Sequence, residues 1–157
     1  MEAANHMRIL VDADACPVKD EIKAAAGKIG VPIIMVSSYD HVLRAEEGVE
    51  VVRVDRGKES ADLYIVNHLR AGDLVVTQDY GLAALVLAKR AFALSERGVV
   101  YDAENIEFLL DRRHTSAKVR RGGGRTKGPK KFTAEDRAAF SEKCLKLLHD
   151  LQEKSEV

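Results

Sequence analysis

The stretch Ile9-Leu10-Val11-Asp12-Ala13-Asp14-Ala15-Cys16-Pro17 decides how the rest of the chain reads. Three apolar residues lead into two carboxylates one residue apart, and Pro17 then opens a helical pattern. A short apolar run bounded by a helix-start signal reads as a buried strand. Asp12 and Asp14 therefore fall at that strand's carboxyl end. In open α/β sheets this end faces the ligand crevice, at the point where strand order reverses. Two acids fixed there offer the hard oxygen donors that suit a divalent cation such as Mg2+. The competing roles are local: Asp14 as a helix cap and Asp12 as a solvated loop acid.

Outward from this stretch, strands and helices alternate. The first strand covers 8–12. A helix over 18–29 follows, with Val18, Ile22, Ala25, Ala26 and Ile29 at helical spacing. Pro17 suits its first position and Gly30 its C-terminal cap. Strands are expected at 31–36 and at 49–54, the latter rich in β-branched valines. A helix over 59–70 places Ala61, Tyr64, Ile65, His68 and Leu69 on one face, which makes His68 a core residue. A strand at 74–77, a helix over 82–90, short strands at 92–94 and 99–101, and a helix from Asp102 complete the series. Such alternation predicts βαβ units. The fold class is α/β, with a mostly parallel central sheet of about five strands and helices on both faces.

Length and composition fit this. The chain has 157 residues, of which 46% are hydrophobic, enough for one domain with a real core. No apolar stretch reaches membrane-span length, and residues 1–6 read as an extension without a signal peptide's apolar middle. A cytoplasmic protein without membrane association is expected. Cys16 and Cys144 have no metal-ligand spacing, and a disulfide between them is not expected in a reducing compartment.

Charge is zero overall but segregated. Residues 1–111 hold 12 Lys/Arg against 19 Asp/Glu, whereas 112–131 hold nine Lys/Arg and no acid. This basic, glycine-rich segment reads as a mobile loop or linker within 112–132, between an α/β core at 7–111 and a C-terminal helix at 133–153. Thr133 with Asp136 starts that helix in the manner of a capping box. The loop is not a phosphate loop. Gly123 and Gly128 have the spacing, but Pro129 stands where the lysine belongs, and no strand precedes it. Its candidate role is to bind phosphates without reading sequence, through Arg112, Arg113, Lys118, Arg120, Arg121 and Arg125. The alternative is a solvated basic loop.

The chemistry-bearing residues are acids. Asp79 follows the strand at 74–77, so if that strand neighbours the first, it joins Asp12 and Asp14 at the switch point. Such carboxylates repel one another unless a cation or raised pKa values neutralise them. Asp62, early in its helix, faces the same crevice or merely favours the helix's first turn. Glu59 has the same ambiguity, and Asp102 is either a further site acid or an N-cap. Thr77 hydrogen-bonds a site carboxylate or satisfies backbone at the strand end. Cys16 reads as a small buried residue rather than a nucleophile. The histidines show no ligand spacing.

Four segments carry a resemblance. They are Val11-Asp12-Ala13-Asp14-Ala15-Cys16-Pro17-Val18-Lys19, Lys58-Glu59-Ser60-Ala61-Asp62, Val75-Val76-Thr77-Gln78-Asp79-Tyr80-Gly81-Leu82-Ala83 and Arg120-Arg121-Gly122-Gly123-Gly124. Together they resemble the bacterial YaiI/YqxD family of unknown function, over Met7 to about Leu148. More distantly, the strand-Asp, helix-Asp and Thr-x-Asp arrangement resembles the PIN-like nuclease superfamily. That resemblance implies a PIN-like three-layer fold, bound Mg2+ or Mn2+, and phosphodiester hydrolysis, mostly in RNA. Asp12, Asp62 and Asp79 fall on its acid pattern and Asp14 is an additional acid. The fourth acid of the set is left open between Glu59 and Asp102. The expected function is thus a metal-dependent nuclease using Asp12, Asp14, Asp62 and Asp79 as metal-binding and catalytic acids. The alternatives are a haloacid-dehalogenase-like phosphohydrolase with Asp12 as nucleophile and Asp14 as acid/base, and a non-catalytic nucleic-acid-binding protein.

Overall fold

A computed structural model describes residues 7–14, 16–38, 44, 46–123 and 131–155; of 58, 113–121, 154 and 155 only the backbone is described. In chain order the elements are β1 (Ile9–Asp12), α1 (Lys19–Ile29), β2 (Ile33–Ser38), β3 (Val49–Val54) and α2 (Lys58–His68). β4 (Leu74–Val76), α3 (Tyr80–Ala88), β5 (Phe92–Leu94), α4 (Ala103–Arg121) and α5 (Ala134–Ser155) follow.

The five strands form one parallel sheet in the order β3-β2-β1-β4-β5. The chain winds outward from β1 to β3, then returns to the other side of β1 as β4. The strand-order reversal therefore falls between β1 and β4, where a crevice opens at the carboxyl ends. Strand alternation divides the core in two. Ile9, Val11, Met35 and Val76 pack on one face with α1 and α5, through Ile22, Phe140, Cys144 and Leu148. Leu10, Ile34, Val36 and Val75 pack on the other with α2, α3 and α4, through Ile65, Leu82, Val86 and Ile106. β1 is buried on both faces, which is why it reads as an unbroken apolar run.

Several boundaries depart from the sequence pattern. β2 extends through Ser37 and Ser38, which are buried and pair with Arg53 and Val54 of β3. Two serines ending a strand look like a loop, but their polar groups find partners inside the protein. α1 starts at Lys19 with Val18 as its N-cap, so Pro17 precedes the helix rather than opening it. Gly30 does cap its end, in the left-handed conformation and with its N–H on the Ala26 carbonyl. The expected strand at 99–101 is reduced to a single antiparallel bridge, Leu94 to Val100.

The largest correction concerns the basic segment. Residues 112–121, expected as loop, continue the backbone of α4 as helix. Five of their ten residues are Arg or Lys, good helix formers, and the nearest glycine is Gly122. Residues 124–130 of the glycine-rich stretch lie outside the described residues.

α5 docks on α1. Phe140, Cys144 and Leu148 are fully buried, and Arg137 Nη1 donates to the Pro17 carbonyl at 2.5 Å and reaches Glu21 at 3.1 Å. Its start is the expected reciprocal cap: Thr133 N–H to Asp136 at 3.0 Å and Asp136 N–H to Thr133 Oγ1 at 3.1 Å. The turn after β5 meets α5 closely. Gly98 has φ +89°, and a Cβ there would lie 3.0 Å from the Ala139 carbonyl oxygen. Both constraints call for glycine. Among the described residues no helix is long and apolar enough to cross a membrane.

Candidate active site

The acids reach one cleft because alternation and topology agree. Asp12 has the same strand parity as Leu10, so it faces the side of the sheet covered by α2 and α3. α2 carries Asp62 in its second turn, and Asp79 is the N-cap of α3, accepting the Leu82 N–H at 3.1 Å. Asp14 lies two residues past the end of β1. These four carboxylates, with Ser38, Arg56, Gly57 and Ala61, line a cleft of about 450 Å³. The strand neighbourhood on which this convergence depended, β1 beside β4, is present.

Hydrogen bonds fix three of the acids. Asp14 Oδ1 accepts the Ser37 hydroxyl at 2.9 Å and the Ser38 N–H at 3.2 Å. Asp12 Oδ2 accepts the Thr77 hydroxyl at 3.4 Å, and the same Thr77 oxygen accepts the Asp79 N–H at 3.0 Å. Thr77 itself is fully buried, so both offered roles apply: it orients a site carboxylate and satisfies backbone. Tyr101 donates its hydroxyl to the Thr77 carbonyl at 3.3 Å.

The electrostatics follow from crowding. Burial raises the Asp12 pKa, as do the neighbouring charges of Asp14 and Asp79, against the lowering bond from Thr77. Asp62 is pushed up to about 7, first by burial and then by the charges of Asp79 and Asp12.

The remaining candidates lie elsewhere or play other parts. Asp102 is an N-cap: its Oδ1 accepts the Asn105 N–H at 2.7 Å, and Asn105 Oδ1 accepts the Asp102 N–H at 2.9 Å. Glu59 is exposed and acts on the cluster only as a nearby charge on Asp62. His68 is not a core residue. It is exposed at the end of α2, stacked on Tyr64 at 3.9 Å with Nδ1 on the Tyr64 carbonyl. Cys16 and Cys144 are free and buried. Burial, with the charge of Glu96, pushes the Cys16 thiol up to about 12, the reverse of an activated thiolate. Arg112 is exposed on α4, its guanidinium 5.9 Å from the Phe108 ring centroid, and does not line the cleft. The side chains of Arg113, Lys118, Arg120 and Arg121, and all of Arg125, lie outside the described residues.

Two residues were missed by sequence reasoning. Glu96, in the turn after β5, is 3% exposed and accepts a hydrogen bond from Gln78 Nε2. Burial and the charge of Asp12 push its carboxyl up to about 7, while bonds from Cys16 and Gln78 pull it down. It ties the turn after β5 to the segments that carry Asp14 and Asp79. A glutamate between two serine- and arginine-flanked turn positions gives no sequence signal of burial; only its place after a buried strand does. The second is Arg56, at the end of the β3–α2 connection and on the cleft wall. Its charged, glycine-followed setting reads as ordinary turn chemistry.

Among the described residues no three His, Cys, Asp or Glu side chains form a ready-made metal cage. The acids instead border an open cleft. This arrangement fits Mg2+, which keeps several waters and is held by one or two carboxylates together with substrate phosphates.

Known proteins agree with the resemblance read from the motifs. The model of the uncharacterised YaiI/YqxD family matches residues 10–150. A UPF0178 protein of Bacillus anthracis is 53% identical over 136 residues, 85% of this chain and 93% of its own. A UPF0178 protein of Clostridium novyi (strain NT) is 48% identical over 149 residues, covering 95% and 99%. Among solved structures, Rae1 (YacP) from Bacillus subtilis matches with a TM-score of 0.42 and 18% identity, over 93% of this chain and 98% of that one. That likeness is too loose to bear on fold or activity. With the family model spanning most of the chain and relatives near half identical across it, the protein belongs to the YaiI/YqxD family.

Proposed function

We propose that the protein is a metal-dependent nuclease that hydrolyses phosphodiester bonds in RNA or structured nucleic acid. One observation carries this reading: Asp12, Asp14, Asp62 and Asp79 line a single cleft at the switch point of a parallel sheet. Four carboxylates lining one cleft are tolerable only when protons or a cation offset their charge. Burial first, and then the neighbouring charges, raise the pKa values of Asp12 and Asp62, so protons offset part of that charge. Mg2+ or Mn2+ is the cation answer, and the all-oxygen donor set suits both. Once bound, the ion would activate water and neutralise charge on the scissile phosphate.

The chain's own residues divide the remaining work. Asp12 and Asp14, held by Thr77, Ser37 and Ser38, are the rigid ligands. Asp79, held by its cap bond at the start of α3, adds its charge from the segment after β4. Asp62, its carboxyl pushed up to about 7 by burial and by its acid neighbours, is the acid suited to exchange a proton near neutral pH. The basic segment from Arg112 through Arg125 supplies the electrostatic attraction for the nucleic-acid backbone.

The test is cleavage of labelled RNA and DNA with Mg2+, with Mn2+ and with chelator. Asp12→Asn and Asp79→Asn are each expected to lose about 100-fold or more in rate, the order found on removing one electrostatic stabiliser, while staying folded by circular dichroism. Unchanged cleavage in either variant rejects that residue's role. A wild-type protein that binds nucleic acid with steep salt dependence but never turns it over favours the non-catalytic alternative.

A further inference from the structure

We infer that Arg56 is the residue that binds the non-bridging oxygens of the substrate phosphodiester in the acid-lined cleft. This rests on the cleft being the nuclease site proposed above. Arg56 is the basic side chain among the cleft-lining residues, whose other ionisable members are Asp12, Asp14, Asp62 and Asp79. A phosphodiester carries its own negative charge. A cation on the acids offsets part of the repulsion between that charge and four carboxylates, and a guanidinium lining the same cleft offsets more. Arginine is suited to the task because its planar fork makes two parallel bonds to phosphate oxygens and stays charged at any working pH.

Position supports the role. Arg56 ends the β3–α2 connection, directly before Gly57, the N-cap of α2, which also lines the cleft and has no side chain to offer as a cap. The positive end of the α2 dipole thus lies on the same wall as the guanidinium. Asp62 lies on α2 itself, in its second turn. A ligand on this wall contacts backbone phosphate rather than a base, so Arg56 confers affinity for phosphodiesters without sequence preference. The basic segment on and beyond α4 attracts the polymer at long range; Arg56 places one phosphate against the acids.

The experiment compares wild type, Arg56→Gln and Arg56→Lys. It reads Mn2+ binding by electron paramagnetic resonance without nucleic acid, and then binding and cleavage of a 20-nucleotide single-stranded oligonucleotide of mixed sequence across a salt series. Arg56→Gln is expected to bind Mn2+ as tightly as wild type or more tightly, since a positive charge leaves the acids. Its KM should rise about 10-fold or more, the worth of a lost charge-assisted pair. The slope of log affinity against log salt should fall by about 1. Arg56→Lys should restore the slope but only part of the affinity. If wild type binds Mn2+ and Arg56→Gln leaves KM and slope unchanged, the inference is wrong and the cleft reading stands. If Arg56→Gln instead loses Mn2+ binding, Arg56 organises the acids rather than the substrate, and the inference also fails. If wild type binds neither Mn2+ nor oligonucleotide, the cleft reading falls and takes this inference with it.

Discussion

Thr77 donates its hydroxyl to Asp12 across the boundary between β4 and β1, at 3.4 Å. The same oxygen accepts the N–H of Asp79 at 3.0 Å, so one buried hydroxyl sets the positions of two site acids. Thr77→Val keeps the shape and removes both bonds. Asp12 loses the one influence that lowers its pKa, and the Asp79 N–H loses its acceptor. The variant should be less stable by about 1–3 kcal/mol, the cost of an unsatisfied buried group, and should bind Mn2+ more weakly. Equilibrium urea unfolding and a Mn2+ titration check both; full wild-type Mn2+ affinity would show that Thr77 serves only the backbone.

Stability should fall as pH rises, in the absence of divalent ions. Asp62 and Glu96 both have folded-state pKa values raised to about 7. The folded protein then holds protons that the unfolded chain gives up at the ordinary carboxylate range. Their contribution is complete below that range and is lost as pH passes through about 7. Tm should therefore drop between about pH 5 and pH 8. Asp62→Asn and Glu96→Gln should each flatten the drop and raise Tm at the alkaline end. Added Mg2+ should raise wild-type Tm most at the alkaline end, where the acids are ionised. Differential scanning calorimetry across this range decides it, and a Tm that climbs with pH would contradict the charge crowding in the cleft.

At the opposite end of the sheet, Asp73 is 1% exposed and ties three segments together. It pairs with Arg8 Nη2 at 2.6 Å and accepts the N–H groups of Arg8 at 3.3 Å and Arg70 at 2.9 Å. Asp73→Ala leaves two backbone donors without their acceptor and the Arg8 guanidinium with only the His68 carbonyl. A loss of about 2–4 kcal/mol is expected, read as a lower urea midpoint at unchanged m-value. Because this pair anchors the amino ends of β1 and β4, cleavage by the folded fraction should be unaffected.

Gly98→Ala should loosen the last helix. Its φ of +89° disfavours any side chain, and the new methyl would press on the Ala139 carbonyl at 3.0 Å. The backbone strain alone costs about 1–3 kcal/mol. Hydrogen exchange should report the loss mainly in α5 amides near Ala139, with the β1 amides changed only through global stability. Equal protection of α5 in both proteins would mean the turn after β5 yields instead.

Much of the architecture was legible because its signals are local. β3 and β5 read with the bounds they have, and β1 differs by one residue, since an apolar run between turn signals is visible within a few positions. The errors sit where a distant partner overrides the local signal. Ser37 and Ser38 read as loop, but Asp14 satisfies them inside β2. His68 follows the helical spacing of the core, but its ring stacks on Tyr64 and stays exposed. Residues 112–121 read as loop from charge and glycine nearby, although the residues themselves favour helix.

The sequence by itself determined the parallel α/β class, the placement of Asp12, Asp14 and Asp79 at or just past strand ends, and the family. These depend on period, spacing and motif, which are properties of neighbouring residues. Only the tertiary structure decided that β4 returns beside β1, that Asp62 faces the cleft while Asp102 caps a helix, and that Glu96 and Arg56 stand at the same end of the sheet. Strand neighbours and helix faces are chosen by which surfaces can be buried together, and that choice is made between segments tens of residues apart.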